Sequence, residues 1–244
     1  MIEWNEYSVR IGKETILDSI NLHISKGQMV AIVGKSGEGK TTLLNSILGF
    51  YQNVKGELWL NNKVLSKISK KKQKQELKKV GYLTQETNLV DTDNIVNNIK
   101  RSLNFNPKIW QNWFGFLNKI QRQQVFDAIN QVGLLEKSFI RVNSLSGGQK
   151  QRVEIAKILL NNCSLMLADE PTSSLDFYNA IEVISKLKDL NKSKGMTIVV
   201  VLHDLDLALD FFDEIILVKN KQVQKLDPKK INKKDLLKLI DEKN

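Results

Sequence analysis

"QMVAIVGKSGEGKTTLLNSILGF", residues 28–50, decides how the rest of the chain is read. Gln28–Val33 is a short apolar run of the kind produced by a strand buried on both faces. Leu43–Phe50 then carries apolar residues at helical spacing. Between them, Gly34-Lys35-Ser36-Gly37-Glu38-Gly39-Lys40-Thr41 satisfies the pattern G-x-x-x-x-G-K-[ST] after a strand and before a helix, the context it requires. The glycines let the backbone curl so that successive N–H groups face phosphate oxygens, and the helix behind adds its positive end. Lys40 is expected to reach the β- and γ-phosphates, and the Thr41 hydroxyl to join a Mg2+ shell. Thr42 completes the stretch expected to touch a nucleotide. Glu38 has the wrong sign for that role and is expected to point outward.

Strand and helix signals alternate on both sides of this stretch. "EYSVRI" and "NLHISK" read as an antiparallel pair, and "GELWLNNKVL" as strand, Asn-Asn turn and strand. From about 86 to 143 the signal is helical. "SLMLAD", "AIEVISKLKDLNKSK", "TIVVVLH", "DLALDFF" and "EIILVKN" then resume the alternation, and "INKKDLLKLIDEKN" closes with an amphipathic helix. The expectation is an α/β sheet flanked by helices, in one domain spanning 1–244. Residues 1–85 and 144–244 form its core, including an N-terminal antiparallel β part, and 86–143 an inserted helical subdomain.

Composition narrows the function classes. The net charge is +10, but of 37 basic residues only five are arginine. The densest run, Lys67–Lys79, has the make-up of a solvated face, so nucleic acid is not the expected partner. Met1–Ile20 has no signal-peptide core, and apolar runs such as Met196–Leu202 fall far short of the ~20 residues a membrane helix needs. The single cysteine, Cys163, excludes an internal disulfide and fits a reducing compartment, packed as a small apolar residue.

"SLMLADEPTSSLD" supplies a second acidic element. A buried strand ending in Asp169 places a carboxylate where it can orient Mg2+ and its waters, and Glu170 then sits where it can accept a proton from an attacking water.

"LSGGQKQR", Leu145 to Arg152, resembles the signature of ABC-transporter ATPases. Five elements of that family stand in family order: the P-loop, Gln85 in "GYLTQ", the signature, "LMLADEPTSSLD" and His203 in "VVVLHD". The resemblance covers essentially the whole chain. It implies a RecA-like P-loop NTPase core with an antiparallel β subdomain and an inserted helical subdomain, hydrolysing ATP with Mg2+. It further implies a head-to-tail homodimer in which Ser146, Gly147, Gly148 and Gln149 of one subunit meet the γ-phosphate held by the other. Glu170, His203 and Gln85 would be catalytic, with Thr41, Gln85 and Asp169 around the metal. Asp176 would belong to a loop coupling the two sites.

The chain lacks the long heptads and CxxC pairs of DNA-repair members, the second cassette of translation-associated members and the fused spans of exporters. What remains is a detached energy subunit on the cytoplasmic face of the membrane, working with integral-membrane permease subunits and a separate solute-binding protein. The order from "NNIKRSL" to "LADEPTSSLD" is similar to the ATPase of phosphonate importers. Lipoprotein release, cell division, another solute or a non-transport nucleotide switch are the alternatives. The chain departs from the family at Ile11, where members usually carry an aromatic that stacks on adenine.

Between Gln85 and the signature lies "NPKIWQNWFGFLNK", 106–119. Asn106-Pro107 reads as a helix start, and Trp110, Trp113, Phe114 and Leu117 fall on one face. Gly115 weakens that helix by about 1 kcal/mol relative to Ala. The face reads either as core of the helical subdomain or as part of a groove where a permease docks.

The Ile11 departure gives a test. Aromatic stacking adds ~0.5–1.5 kcal/mol beyond burial, so Ile11→Tyr should tighten ATP binding by roughly two- to tenfold in nucleotide titrations. Unchanged affinity would show that this position does not hold the base.

Overall fold

The computed structural model describes residues 1–51, 54–103 and 117–242. Its centre is a six-stranded sheet built from β3 (Met29–Val33), β6 (Val80–Leu83), β7 (Leu165–Asp169), β8 (Thr197–Val201), β9 (Glu214–Lys219) and β10 (Gln222–Leu226). The spatial order is β10-β9-β3-β8-β7-β6, with every pair parallel except β10 on β9. All five residues of β3 and all five of β8 are buried, which is why both read as continuous apolar runs. Alternate residues serve opposite faces. Met29, Ala31 and Val33 join one core with the helices α5 (Gly147–Leu159), α6 (Phe177–Lys194) and α7 (Leu205–Phe211). Val30 and Ile32 join the other with α1 (Lys40–Ser46).

That second core is roofed by an antiparallel sheet of order β2-β1-β4-β5, made of β1 (Ile2–Ile11), β2 (Glu14–Ile24), β4 (Val54–Leu60) and β5 (Lys63–Val64). β1 and β2 are longer than the sequence suggests. The alternation breaks because the β1–β2 register shifts between Trp4 and Tyr7, with Glu6 at φ 47°. Asn61 and Asn62 both have positive φ, 52° and 61°, as a tight hairpin turn demands. The buried Trp4 indole donates to Ser46 Oγ at 2.8 Å, tying the roof to α1 through the one polar atom of a large apolar side chain.

The helical arm includes α3 (Ile95–Lys100) and α4 (Lys119–Gln131), both packed on α5. Buried Asn98 donates to the Val90 and Asn94 carbonyls and accepts from the Val90 N–H at 2.7 Å. The expected helix over 106–119 falls largely on 104–116, outside the described residues, and Trp110, Trp113, Phe114 and Gly115 lie there. Its last residues differ from expectation. Leu117 packs against the core outside any helix, and Asn118 is the N-cap of α4, its side chain accepting from Gln121 N at 2.8 Å.

The lysine-rich run forms α2 (Lys70–Leu77), mostly exposed. It hides one carboxylate: Glu76 is 4% exposed and accepts from Lys63, Asn61 and Lys79. Those hydrogen bonds, the one from Lys63 foremost, hold its pKa down at about 2. A pKa depressed on folding contributes stability above the ordinary carboxylate range, and that stability is lost as pH falls toward 2. Glu76→Gln should therefore lower the melting temperature by a few degrees at pH 7, with the gap to wild type closing between about pH 4.5 and 2 in thermal scans.

Candidate active site

Sheet register sets the site. Ile32 pairs with Val201, Val201 with Asp169, and Ala168 with Leu83. Gly34 therefore leaves β3, Glu170 leaves β7, His203 follows β8 and Gln85 follows β6 at the same carboxyl end of these parallel strands, although the four come from distant parts of the chain.

The turn after β3 is shaped by close approach. A Cβ on Gly34 would lie 2.2 Å from the Val218 carbonyl oxygen, and Gly39, at φ 99°, caps α1 with no side chain. Lys40 is 5% exposed and donates to the carbonyls of Gly34 and Lys35 at 3.0 and 2.9 Å. Burial lowers its pKa, while the charges of Glu170, Asp169 and Glu38 oppose that shift. Glu38 turns away from the loop as expected, accepting from Asn220 N at 2.6 Å. Lys35 reaches Asp241 of α8 (Lys233–Asp241) at 3.1 Å.

Thr41 Oγ1 donates to Asp169 Oδ1 at 3.1 Å. The Tyr82 hydroxyl stands 2.9 Å from Asn45 Oδ1 and 3.5 Å from Asp169 Oδ2. Asp169 thus has a hydroxyl beside each oxygen, and burial pushes its pKa up despite them. A hydroxyl and a carboxylate this close are the hard oxygen donors Mg2+ takes from protein, its remaining positions going to phosphate and water. The donor set fits the ion.

Glu170 adopts φ 49°, a left-handed conformation unusual for a residue with a side chain, and its carbonyl accepts from both the N–H and the hydroxyl of Ser173. His203 Nε2 lies 2.6 Å from Glu170 Oε1. Gln85 is exposed. Among the described residues its side chain has no hydrogen bond to Thr41, Asp169 or Glu170, and it is the backbone carbonyl that is held, by Gln151 Nε2 at 3.0 Å. Ile11 is 49% exposed at the tip of the β1–β2 hairpin.

The signature stretch sits apart from the P-loop, with no hydrogen bond joining the two among the described residues. Ser146 is the N-cap of α5: its Oγ accepts from Gln149 N at 3.3 Å, and Gln149 Oε1 accepts from Ser146 N at 3.2 Å. Gly148 lies against the start of α6, where a Cβ would be 2.7 Å from Asn179 Oδ1. Asn179 is in turn held by Asp176, the N-cap of α6, whose pKa these bonds depress. Signature and Asp176 are therefore packed as one unit. Sequence reasoning passed over Tyr82, Asn45, Gln151 and Asn179, whose roles come from contacts between distant segments.

Residues 17–173 match the family model described as ABC transporter. The chain belongs to the ABC transporter family. It is 37% identical over 221 residues, 91% of its length, to the "Probable ABC transporter ATP-binding protein p29" of Mycoplasma pneumoniae, covering 89% of that protein. It is 36% identical over 224 residues to the "Phosphonates import ATP-binding protein PhnC" of Lactobacillus gasseri, covering 91% of this chain and 86% of that one. Among solved structures it resembles the ATP-binding cassette MJ0796, described as a dimeric post-hydrolysis state bound to ADP and Pi. The TM-score there is 0.76 at 30% identity, over 93% of this chain and 99% of that one. The expected α/β fold with a P-loop core is thus borne out, and the chain is an ATPase coupled to transport. No helix among the described residues is long and apolar enough to cross a membrane.

Gly148→Ala should drive its methyl into Asn179 and cost about 1–3 kcal/mol, read as a lower denaturation midpoint. Pairing it with Asn179→Ala should recover most of that loss. No recovery would place the strain elsewhere.

Proposed function

We propose that this ABC ATPase powers import of a phosphonate or related phosphorus oxyanion, as a head-to-tail homodimer docked on permease subunits at the cytoplasmic face of the membrane. A separate binding protein would deliver the solute. The ATPase part of this reading is carried by one juxtaposition: Thr41 against Asp169 and His203 against Glu170, at the carboxyl ends of the parallel strands. The solute part rests on the names of relatives such as PhnC, at 36% identity. The p29 relative, at 37%, has a name that specifies no solute.

In this reading the curled P-loop backbone and Lys40 bind the β- and γ-phosphates, whose charge takes over the Lys40 ammonium from the carbonyls it now holds. Bound Mg2+ would supply neutralisation of the phosphate charge, with Thr41 and Asp169 holding it and Gln85 reaching it from the end of β6. Glu170 accepts the proton of the attacking water. His203, beside it, orients that carboxylate and holds the γ-phosphate. Ser146, Gly147, Gly148 and Gln149 would close the partner subunit's site, with Asp176 joining the two sites. Ile11 would pack on the adenine by apolar contact.

Glu170→Gln should cut turnover by at least ~100-fold while ATP affinity stays within a few-fold and the dimer accumulates in ATP by light scattering. Lys40→Ala should instead weaken nucleotide binding itself. Near-normal hydrolysis by Glu170→Gln would remove Glu170 as the base. For the solute, the assembled transporter in vesicles should show ATPase stimulation by phosphonate-loaded binding protein, and stimulation by a different solute class alone would redirect the assignment.

A further inference from the structure

One side of the signature helix grips the backbone that follows Gln85. Gln151, Glu154 and Lys157 stand at i, i+3 and i+6 of α5, along one side of the helix. Gln151 Nε2 donates to the Gln85 carbonyl at 3.0 Å, Glu154 Oε1 accepts from Asn88 N at 2.7 Å, and Lys157 Nζ donates to the Asn88 carbonyl at 2.9 Å. Glu154 and Lys157 are also bonded to each other at 2.9 Å, with side chains only 13% and 19% exposed. Gln151 is 2% exposed, and among the described residues its Oε1 has no donor. Two residues on, Val90 is pinned by Asn98 from α3.

These contacts are unusual for an exposed loop, whose backbone groups ordinarily bond to water. Here both backbone polar groups of Asn88 and the backbone carbonyl of Gln85 are taken by side chains of a single helix. The opposite interest of that helix lies at its start, where Ser146, Gly147 and Gly148 form the signature. Thirteen helical residues span about 20 Å as a rigid rod, so displacement of one end is felt at the other.

We propose that Gln151, Glu154 and Lys157 form a clamp that positions Gln85, so that the signature helix and the Gln85 segment move as one body and the clamp sets the rate of hydrolysis. Glu154 and Lys157 are positioning residues; they act through Gln85 and touch no reactant. The inference rests on the reading of Gln85 as part of the hydrolytic site.

The test uses the full-length protein with Glu154→Ala, Lys157→Ala, Lys157→Arg and Gln85→Ala. In the two clamp alanine variants, hydrogen–deuterium exchange of the amides from Glu86 to Val90 should rise about tenfold, while the rest of α5 stays protected. kcat should fall about tenfold, with KM and the ATP dissociation constant within twofold. Lys157→Arg, which keeps a donor and a charge, should restore both exchange and kcat. The two alanine substitutions combined should lose little more than either alone, because they share one network. A fall in kcat without faster exchange would overturn the clamp, as would faster exchange at undiminished kcat while Gln85→Ala is impaired. If Gln85→Ala itself hydrolyses ATP normally, the reading of Gln85 has failed and the catalytic consequence of the clamp falls with it.

Discussion

The parallel register of β3, β8 and β7 is the constraint on which the rest depends. Ile32, Val201 and Asp169 occupy one line across three strands, and the candidate site starts at Asp169 and continues one or two residues beyond the line. A slip of one residue in any of these strands would exchange the two buried faces. β3 and β8 have no exposed face to absorb such an error, since every residue in them is buried. Hydrophobic burial on both sides therefore fixes the position of Glu170 relative to His203, and of Thr41 relative to Asp169, through the strand register. The polar contacts refine an arrangement that the cores dictate.

Charge balance then shapes the site. Lys40 is buried beside three carboxylates, two of them, Asp169 and Glu170, from the end of a buried strand. An isolated buried charge is costly, and these groups offset one another across the loop. Burial pulls the Lys40 ammonium and the Asp169 carboxylate in opposite directions, each toward its neutral form, and the opposite charge resists. In the proposed reading, a polyphosphate would bring negative charge to Lys40 and its metal positive charge to Asp169, the signs these two groups already face. The third carboxylate, Glu38, is tied to the β9–β10 turn through Asn220, so the loop interior presents donors.

Local pattern carried most of this into the sequence. The Gly34–Thr41 stretch and the strand ending in Asp169 are contiguous motifs whose expected chemistry follows from residue type and context, while the part expected of the Ser-Gly-Gly turn came from the family resemblance. The fold class followed from alternating strand and helix signals, and the Asn61-Asn62 turn from two residues that tolerate positive φ. What escaped is non-local. Glu76 sat inside a lysine run and looked solvated, yet Lys63 and Asn61 from the preceding hairpin surround it. Tyr82 stood only as a neighbour of Gln85 in "GYLTQ" until β6 placed its hydroxyl near Asp169, 87 positions away. Gln151, Glu154 and Lys157 recur every three residues along a helix that also carries Gln149, Lys150 and Arg152, and that spacing was the only signal the sequence offered. Even with that signal, the partner segment, Gln85–Asn88, is visible only once β6 is paired with β7.

The N-terminus of α5 shows how one side chain can serve fold and function together. Ser146 Oγ uses a lone pair to accept from Gln149 N, as any N-cap does, and Gln149 closes the reciprocal bond. Accepting leaves the hydroxyl proton unspent, and among the described residues nothing accepts it. The cap therefore fixes the oxygen while leaving a donor, directed by a rigid helix rather than a mobile loop. Gly147 and Gly148 keep the neighbouring backbone bare, Gly148 because Asn179 leaves no room for a methyl. In the proposed dimer, that bare, donor-bearing helix start is what the partner's γ-phosphate would meet. Its aim would be set through α5 by the same clamp that holds the Gln85 segment, so each subunit's closing of its partner's site would be tied to the geometry of its own.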